Sequence, residues 1–111
     1  LTLTDATFSE AISNHKGIAL VDFWADWCTP CKVMGPEIEK LAAHYAGNAA
    51  VKVGKLDVDA NGATAQEYGI LSLPSFSIFV NGEEVDRVVG VVPVSKLQEK
   101  LEGALAQLAT A

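Results

Sequence analysis

Residues 19–25, A-L-V-D-F-W-A, form an apolar run that a single acid, Asp22, interrupts. A continuous apolar run of this length is typical of a central strand buried on both faces. Both faces then need covering layers, and strand and helix patterns alternate along the rest of the chain. The sequence therefore predicts an α/β fold with a central sheet. Its 111 residues, half of them apolar, suit a single domain over residues 1–111.

The charge of the chain argues against two classes of partner. The formal net charge is −6 at pH 7, so no basic stripe is present to neutralise nucleic-acid phosphates or an anionic membrane. No apolar run reaches the length of a membrane span, and no signal peptide is visible, although the chain begins at Leu1 rather than Met. We expect no nucleic-acid partner, no membrane partner and a cytoplasmic location.

Helix signals flank the central strand. Thr7 and Glu10 have the spacing of a capping box for a short first helix. A longer helix is predicted over residues 28–45, with Pro36 inside it as the expected cause of a kink. One apolar stripe runs along this longer helix: Met34, Ile38, Leu41 and Tyr45.

The second half of the chain predicts four further elements before a final helix. In order they are a strand over 51–59, a short helix over 63–68, and strands over 75–80 and 85–91. Asn81-Gly82 separates the last two strands and indicates a hairpin. Pro93 precedes the final helix, and Ser95 is its predicted N-cap. The apolar stripe of that helix consists of Leu97, Leu101, Leu105 and Leu108.

The chain has two cysteines, Cys28 and Cys31, and they fall where the central strand meets the long helix. A sulfur at a helix N-terminus faces unpaired N–H groups and the positive end of the helix dipole, which favour a thiolate. Cys28 is therefore the predicted nucleophile, and Cys31, one turn deeper, is positioned to resolve or close a disulfide. Pro30 suits the first helical turn, and Lys32 adds a nearby positive charge.

Other uses of the cysteine pair stay open at this point. A purely structural disulfide is disfavoured because so short a loop removes little entropy from the unfolded chain. Zinc is the stronger rival, since Cys28, Cys31 and His44 have the spacing of three finger ligands. A fourth ligand is expected at residues 48–50, which hold no histidine. An iron–sulfur cluster shared between two chains is a further alternative.

Asp22 is the second informative residue, because a buried carboxylate without a partner is unfavourable. One interpretation places it at a solvent-facing strand position. The other makes it a buried proton acceptor beneath the cysteine helix, which takes the proton of Cys31. Lys55, on the next predicted strand, either tunes this carboxylate or is an ordinary solvent-facing residue.

Taken together, these segments resemble the active site and later landmarks of the thioredoxin family. Pro36 matches the proline inside the family's active-site helix, and Val89-Gly90 matches a glycine that lines the substrate groove. The other matching segments are V-D-F-W-A-D-W-C-T-P-C-K at residues 21–32, K-L-D-V-D at 55–59, Y-G-I at 68–70 and L-P-S-F-S-I-F-V-N-G-E at 73–83. The resemblance covers nearly the whole chain.

The resemblance implies a β-α-β-α-β-β-α order, a central mixed sheet flanked by helices on both faces, and a Cys28–Cys31 disulfide. It implies a cis Leu73-Pro74 peptide facing the cysteines, with the backbone of Leu73 pairing with the substrate chain. An apolar substrate-binding rim would surround Cys28, whereas Trp24 would belong to the core. The implied rim residues are Trp27, Leu73, Pro74, Gly90 and Val91, and the implied catalytic residues are Cys28, Cys31, Asp22 and Lys55.

The function implied by the resemblance is protein dithiol–disulfide exchange, acting as a reductant. No cofactor or metal is expected to be bound, and electrons are expected from NADPH through a separate thioredoxin reductase. Expected partners are that reductase and disulfide-containing substrate proteins, and the chain is expected to be a monomer. Two alternatives remain: a disulfide oxidase or isomerase of an oxidising compartment, and a redox-independent binding subunit of a larger assembly.

Thr29 departs from the family pattern, in which glycine commonly stands between the first cysteine and Pro30. The residues between the cysteines, together with Trp27 beside them, are expected to modulate the active site. They change the relative stability of thiolate and disulfide and therefore the reduction potential. Threonine is β-branched, and its hydroxyl can bond to nearby backbone groups. Sequence alone does not give the direction of this effect.

Overall fold

A five-stranded mixed sheet forms the centre of the protein in a computed structural model that describes residues 1–110. The strands are β1 (Thr2–Leu3), β2 (Ile18–Trp24), β3 (Val51–Asp57), β4 (Ser75–Val80) and β5 (Glu83–Val89). They lie in the order β1-β3-β2-β4-β5. β1 and β2 run parallel to β3, whereas β4 is antiparallel to both β2 and β5. The α/β fold with a central mixed sheet is confirmed.

Helices cover both faces of the sheet. They are a short π-helix (Ser9–Ser13), α1 (Thr29–Tyr45), α2 (Gly62–Glu67) and α3 (Val94–Thr110). From β2 onward the elements follow the expected β-α-β-α-β-β-α order, and β1 with the π-helix precedes them. No helix within residues 1–110 is long and apolar enough to cross a membrane.

The two faces of β2 belong to two separate apolar clusters. Ile18 and Leu20 pack with the stripes of α1 and α3, whereas Ala19, Val21 and Phe23 face the side of the π-helix. All residues of β2 before Trp24 are buried, as the apolar run predicts for a two-sided central strand. The predicted α1 stripe is fully buried, and in α3 the two leading leucines are buried while the last two are half-buried.

Side-chain hydrogen bonds move several element ends from their predicted positions. The predicted Thr7–Glu10 capping box is wrong. Thr4 and Thr7 form the reciprocal pair instead, because the amide of each donates to the hydroxyl of the other at 3.0 and 3.2 Å. β3 ends two residues before the predicted Asp59, since the Asp59 amide turns back to donate to Oδ1 of Asp57.

Two further boundaries differ in the last third of the chain. β5 begins at Glu83 and ends at Val89, so Val91 lies beyond it. The strand stops there because Gly90 adopts φ +94°, a left-handed conformation that glycine tolerates. α3 begins at Val94, which puts the predicted cap Ser95 inside the first turn instead.

The hairpin between β4 and β5 is confirmed. Asn81 and Gly82 have φ of +51° and +86°, the left-handed pair that a two-residue connection of this type requires. α1 continues through Pro36 without interruption.

Candidate active site

Cys28 is the N-cap residue of α1, at the junction where the chain leaves the central strand. Its backbone is extended, and its Sγ accepts a hydrogen bond from the Cys31 amide at 3.2 Å. Cys28 and Cys31 are joined by a disulfide across a Cα–Cα distance of 5.3 Å. Pro30 lies in the first helical turn, where its missing N–H leaves no helix bond unmade. The first turn of α1 thus brings both sulfurs to the amide end of the helix.

Trp27 lies beside the disulfide and is 69% exposed, so it is not a core aromatic. Its indole Nε1 donates a hydrogen bond to Oδ2 of Asp59 at 2.8 Å. Sequence reasoning did not identify Asp59 as a partner, because it expected that residue to be part of β3. Trp24, predicted to be core, is half-buried and packs against the cysteine cluster.

The Leu73–Pro74 segment lies on the other side of the cysteines. The peptide between these residues is cis, as the resemblance implies, and Leu73 packs against the cluster of Ala25, Cys28 and Cys31. The Pro74 carbonyl accepts a hydrogen bond from the Gly90 amide at 2.9 Å. The fold thereby brings the α2–β4 loop and the end of β5 together beside the disulfide.

The surface around these segments is apolar and open to solvent. Val91 is 55% exposed, and Leu71 is 96% exposed two residues before Leu73. Leu71 was not singled out from the sequence, where it reads as one more apolar residue near a proline. Its exposure follows from the irregular loop that carries it, which leaves the side chain without a packing partner.

Asp22 lies in the middle of β2 and lines a cavity of about 160 Å³ behind the disulfide. The cavity is formed by Asp22, Trp24, Cys31, Lys32, Gly35, Ile38, Glu39 and Lys55. Asp22 is buried, and its Oδ1 accepts no hydrogen bond from the described residues. Burial raises the pKa of Asp22 from 3.8 to about 7, and the Lys55 ammonium opposes that rise. The solvent-facing interpretation of Asp22 is therefore wrong.

Lys55 is the register neighbour of Asp22 on the adjacent parallel strand. Its ammonium Nζ lies 3.4 Å from Oε1 of Glu39 and 5.9 Å from the centroid of the Trp24 ring. Sequence reasoning missed Glu39. The available signal was helical spacing, because Glu39 follows Gly35 by four residues and Cys31 by eight and so shares their side of α1.

The helix geometry separates His44 from the cysteines. His44 lies thirteen residues after Cys31 on α1, a rise along the helix of roughly 20 Å. His44 instead packs edge-on against Tyr45 and lies 3.3 Å from the Gln98 amide nitrogen. His44 is therefore excluded as a zinc ligand alongside the cysteines. Within residues 1–110, no group of three or more His, Cys, Asp or Glu residues is arranged to hold a metal.

The arrangement suits thiol–disulfide exchange. Two bonded sulfurs lie at a helix N-terminus, where a thiolate is favoured. Exposed apolar side chains lie on one side of the disulfide. A carboxyl group that can bind a proton lies in the cavity behind it.

Comparison with known proteins agrees with this geometry. Residues 1–103 match the family model described as Thioredoxin. The chain is 46% identical over 100 residues to thioredoxins of the Staphylococcus aureus strains Mu50 / ATCC 700699, MW2 and USA300. Each alignment covers 90% of this chain and 92% of the relative. The chain therefore belongs to the thioredoxin family and is a protein disulfide oxidoreductase whose redox-active disulfide joins Cys28 and Cys31.

Proposed function

We propose that this protein acts as a reductant of disulfides in substrate proteins. The position of the Cys28 sulfur carries the exchange chemistry, because this sulfur caps α1 and accepts a hydrogen bond from the Cys31 amide. Membership of the thioredoxin family supports the reductant direction. In the reduced protein the same N–H group and the positive helix end would stabilise a Cys28 thiolate. Lys32, one residue beyond Cys31, adds positive charge to the same turn.

The reaction proceeds by two successive exchanges. The Cys28 thiolate attacks one sulfur of the substrate disulfide, that S–S bond breaks, and the first substrate sulfur leaves as a thiolate. Cys31 then attacks Sγ of Cys28 in the mixed disulfide, which releases the second substrate sulfur. Two electrons pass to the substrate, its two thiolates take up protons, and the Cys28–Cys31 disulfide forms.

Asp22 is the proposed proton acceptor for Cys31. Both residues line the same cavity, and a carboxyl with a pKa of about 7 can take a proton near neutral pH. Lys55, whose charge lowers that pKa, tunes the carboxylate from the neighbouring strand. Water in the cavity would connect the groups, since the cavity volume exceeds that of one water molecule.

The apolar rim is the proposed substrate surface. Its residues are Trp27, Leu73, Pro74, Gly90 and Val91. The exposure of Trp27 and Val91 supports this role, as does the packing of Leu73 on the cysteine cluster. The backbone of Leu73 would pair with an extended substrate segment, as in strand addition. Trp27, Thr29 and Pro30 would modulate the reactivity of the sulfurs beside them.

Family membership supports the remaining parts of the proposal. Electrons would come from NADPH through a separate thioredoxin reductase, with no cofactor bound to this chain. The protein would work as a monomer on disulfide-containing proteins in the cytoplasm, a compartment where reducing systems keep thiols reduced. Neither nucleic acid nor membrane is proposed as a partner, in keeping with the net charge of −6.

Serine substitution of each cysteine tests the mechanism. Cys28→Ser should abolish insulin-disulfide reduction, whereas Cys31→Ser should accumulate mixed disulfides that non-reducing electrophoresis and mass spectrometry detect. Cys31→Ser is also the matched control for Cys28→Ser, because each variant removes one buried sulfur from the same turn. If neither variant trapped a mixed disulfide, the two-step exchange would be wrong.

A disulfide oxidase or isomerase is the second candidate, and the departure at Thr29 from the family pattern is the reason to test it. Thr29 is the first residue of α1 and lies between Cys28 and Cys31 along the chain. A residue at this position changes the relative stability of thiolate and disulfide. Titration of the Cys28–Cys31 pair in defined thiol–disulfide buffers separates the candidates. A potential below that of the glutathione pool supports the reductant, and one at or above it supports the oxidase.

A further inference from the structure

The Lys55 ammonium has two carboxylates within reach and pairs with only one of them. Nζ of Lys55 lies 3.4 Å from Oε1 of Glu39, on α1. Asp22 is its register neighbour on β2, yet in the described part of the chain Lys55 makes no ion pair with it. All three side chains line the cavity behind Cys31.

We propose that Glu39 is a positioning residue that holds the Lys55 ammonium at the outer rim of the cavity, away from the Asp22 carboxylate. Its effect is to keep Asp22 able to accept a proton near neutral pH. The proposal rests on the role proposed above for Asp22 in the release of substrate.

The distances support a competition for the ammonium. Neighbouring strands lie roughly 5 Å apart, and the flexible four-carbon stem of a lysine spans that gap. Lys55 nevertheless extends toward Glu39 and lies 5.9 Å from the centroid of the Trp24 ring. Oδ1 of Asp22 meanwhile accepts no hydrogen bond from residues 1–110. The charge that would best satisfy Asp22 is therefore held elsewhere.

The solvent exposure of the three side chains agrees with a surface pair of Lys55 and Glu39 and a separate, buried Asp22. The side chains of Lys55 and Glu39 are 42% and 69% exposed, so their ion pair adds little to stability. Asp22 is buried, and burial makes its ionised form sensitive to any nearby charge. A weak surface pair can in this way act on a buried group without being important for the fold.

Among the described residues that line the cavity, Glu39 is the one acidic residue besides Asp22 itself. α1 contributes Lys32, Glu39 and the Cys31 half-cystine, and β3 contributes Lys55. β4 places the apolar Phe76 beside Asp22, and α3 packs on this face through Leu97 and Leu101. Among the described residues that line the cavity, removal of the Glu39 charge therefore leaves the positive charges of Lys32 and Lys55 around the Asp22 carboxylate.

The experiment measures the titration of the Asp22 carboxyl carbon by NMR in the oxidised protein. In Glu39→Gln the midpoint should fall by about 0.3 pH units, the size of effect that partly exposed pairs produce. The shift should shrink in high salt, which screens exposed charges. It should lose at least half its size in a Lys55→Gln background, because Glu39 acts through Lys55.

Glu37→Gln is the matched control. It removes the same charge from the same helix, but Glu37 pairs with Lys40 and does not line the Asp22 cavity. Its Asp22 midpoint should equal that of the unsubstituted protein. An unchanged or higher midpoint in Glu39→Gln would overturn the inference, as would a full shift that persists without Lys55.

A second readout separates this inference from the proposed function. The pH profile of substrate release from the mixed disulfide should move to lower pH in Glu39→Gln by the same amount as the NMR midpoint. If the NMR midpoint moved and the release profile did not, Glu39 would still position Lys55. That result would instead remove Asp22 from the release step.

Discussion

Asp22 is informative in the sequence and energetically unfavourable in the structure. It stands out in the sequence as the acid that interrupts an apolar strand. In the structure it is buried, lacks a hydrogen bond at Oδ1 and shares a cavity with Cys31. A carboxylate in these surroundings destabilises the fold whenever it is ionised. The proton transfer proposed above would account for an acid at this buried position.

The free energy of unfolding should depend on pH because of the ionisation of Asp22. The pKa of Asp22 is raised to about 7 in the folded protein, above its ordinary 3.8. At Asp22 the folded state therefore binds more protons between these values, and the contribution of Asp22 to stability falls as pH rises from about 4 to about 7. Above pH 7, Asp22→Asn should increase the free energy of unfolding by up to roughly 4 kcal/mol.

Urea unfolding of the oxidised protein at a series of pH values checks this. The gain from Asp22→Asn should be largest above pH 7 and should vanish near pH 4. Asp26→Asn is the control, because Asp26 is exposed on the loop before the cysteines. A constant gain across the pH range would show that packing, rather than ionisation, distinguishes the variant.

The same substitution should slow the chemistry. General base catalysis typically contributes about 100-fold or more, so Asp22→Asn should slow release of the reduced substrate by about that factor near pH 7. The difference should narrow in alkaline solution, where the Cys31 thiol ionises without help. Single-turnover rates measured by rapid acid quench would show this convergence. An equal release rate at pH 7 would exclude Asp22 as the proton acceptor.

At the level of helices and strands, the β4–β5 hairpin turn packs against the end of the π-helix, beside the first residue of β2. Asn81 and Gly17 are joined by two hydrogen bonds, one through the Asn81 side chain at 3.0 Å and one between backbones at 2.8 Å. Gly82 abuts the Ser13 backbone so closely that a Cβ would collide with its carbonyl oxygen. This contact ties β4 and β5 to the end of the π-helix.

Two glycine-to-alanine substitutions should therefore have opposite effects. Gly82→Ala should destabilise the protein by about 2–4 kcal/mol, since its positive φ and the collision with Ser13 both oppose a side chain.

Gly103→Ala should stabilise the protein by about 0.5–1 kcal/mol, because Gly103 lies in the exposed middle of α3 with open space around it. Denaturant unfolding measures both, and a loss of stability in Gly103→Ala would contradict the account.

The elements were largely predictable from periodicity, and their ends were not. The apolar stripe of α1 and the Asn81-Gly82 turn depend on patterns within a few residues, and both were predicted correctly. The cap at Thr4 and the end of β3 depend instead on which side chain reaches which amide. Several nearby residues have the same hydrogen-bonding groups, so the sequence does not choose among them.

At the scale of the whole molecule, the candidate site is assembled from segments far apart in the chain. Pairing of β2 with β4 brings Leu73 and Pro74 to the cysteines, and pairing of β2 with β3 brings Lys55 to Asp22. Chemistry-bearing residues such as Cys28 could be predicted locally from the strand–helix junction. The cis peptide could be predicted only from the family resemblance. The Glu39–Lys55 pair could not be predicted from the sequence, because no local pattern indicates a contact between a helix and a strand.

The direction of electron transfer is also a property of the whole fold, through a thermodynamic cycle. The free energy by which the disulfide stabilises the folded state equals the difference in reduction potential of the cysteine pair between folded and unfolded protein. In a reductant the folded protein favours the disulfide more than the unfolded chain does. In a strong oxidant the order is reversed, because the reduced form is the more stable.

The oxidised protein should therefore unfold at higher urea concentration than the reduced protein. The loop closed between Cys28 and Cys31 is short, so the entropic stabilisation is about 2 kcal/mol, which corresponds to roughly 40 mV. The Cys28→Ser/Cys31→Ser double variant is the control and should unfold at the same concentration with or without reductant. A reduced protein more stable than the oxidised one would contradict the proposed direction. It would identify the chain as an oxidant and make Thr29 the next residue to substitute.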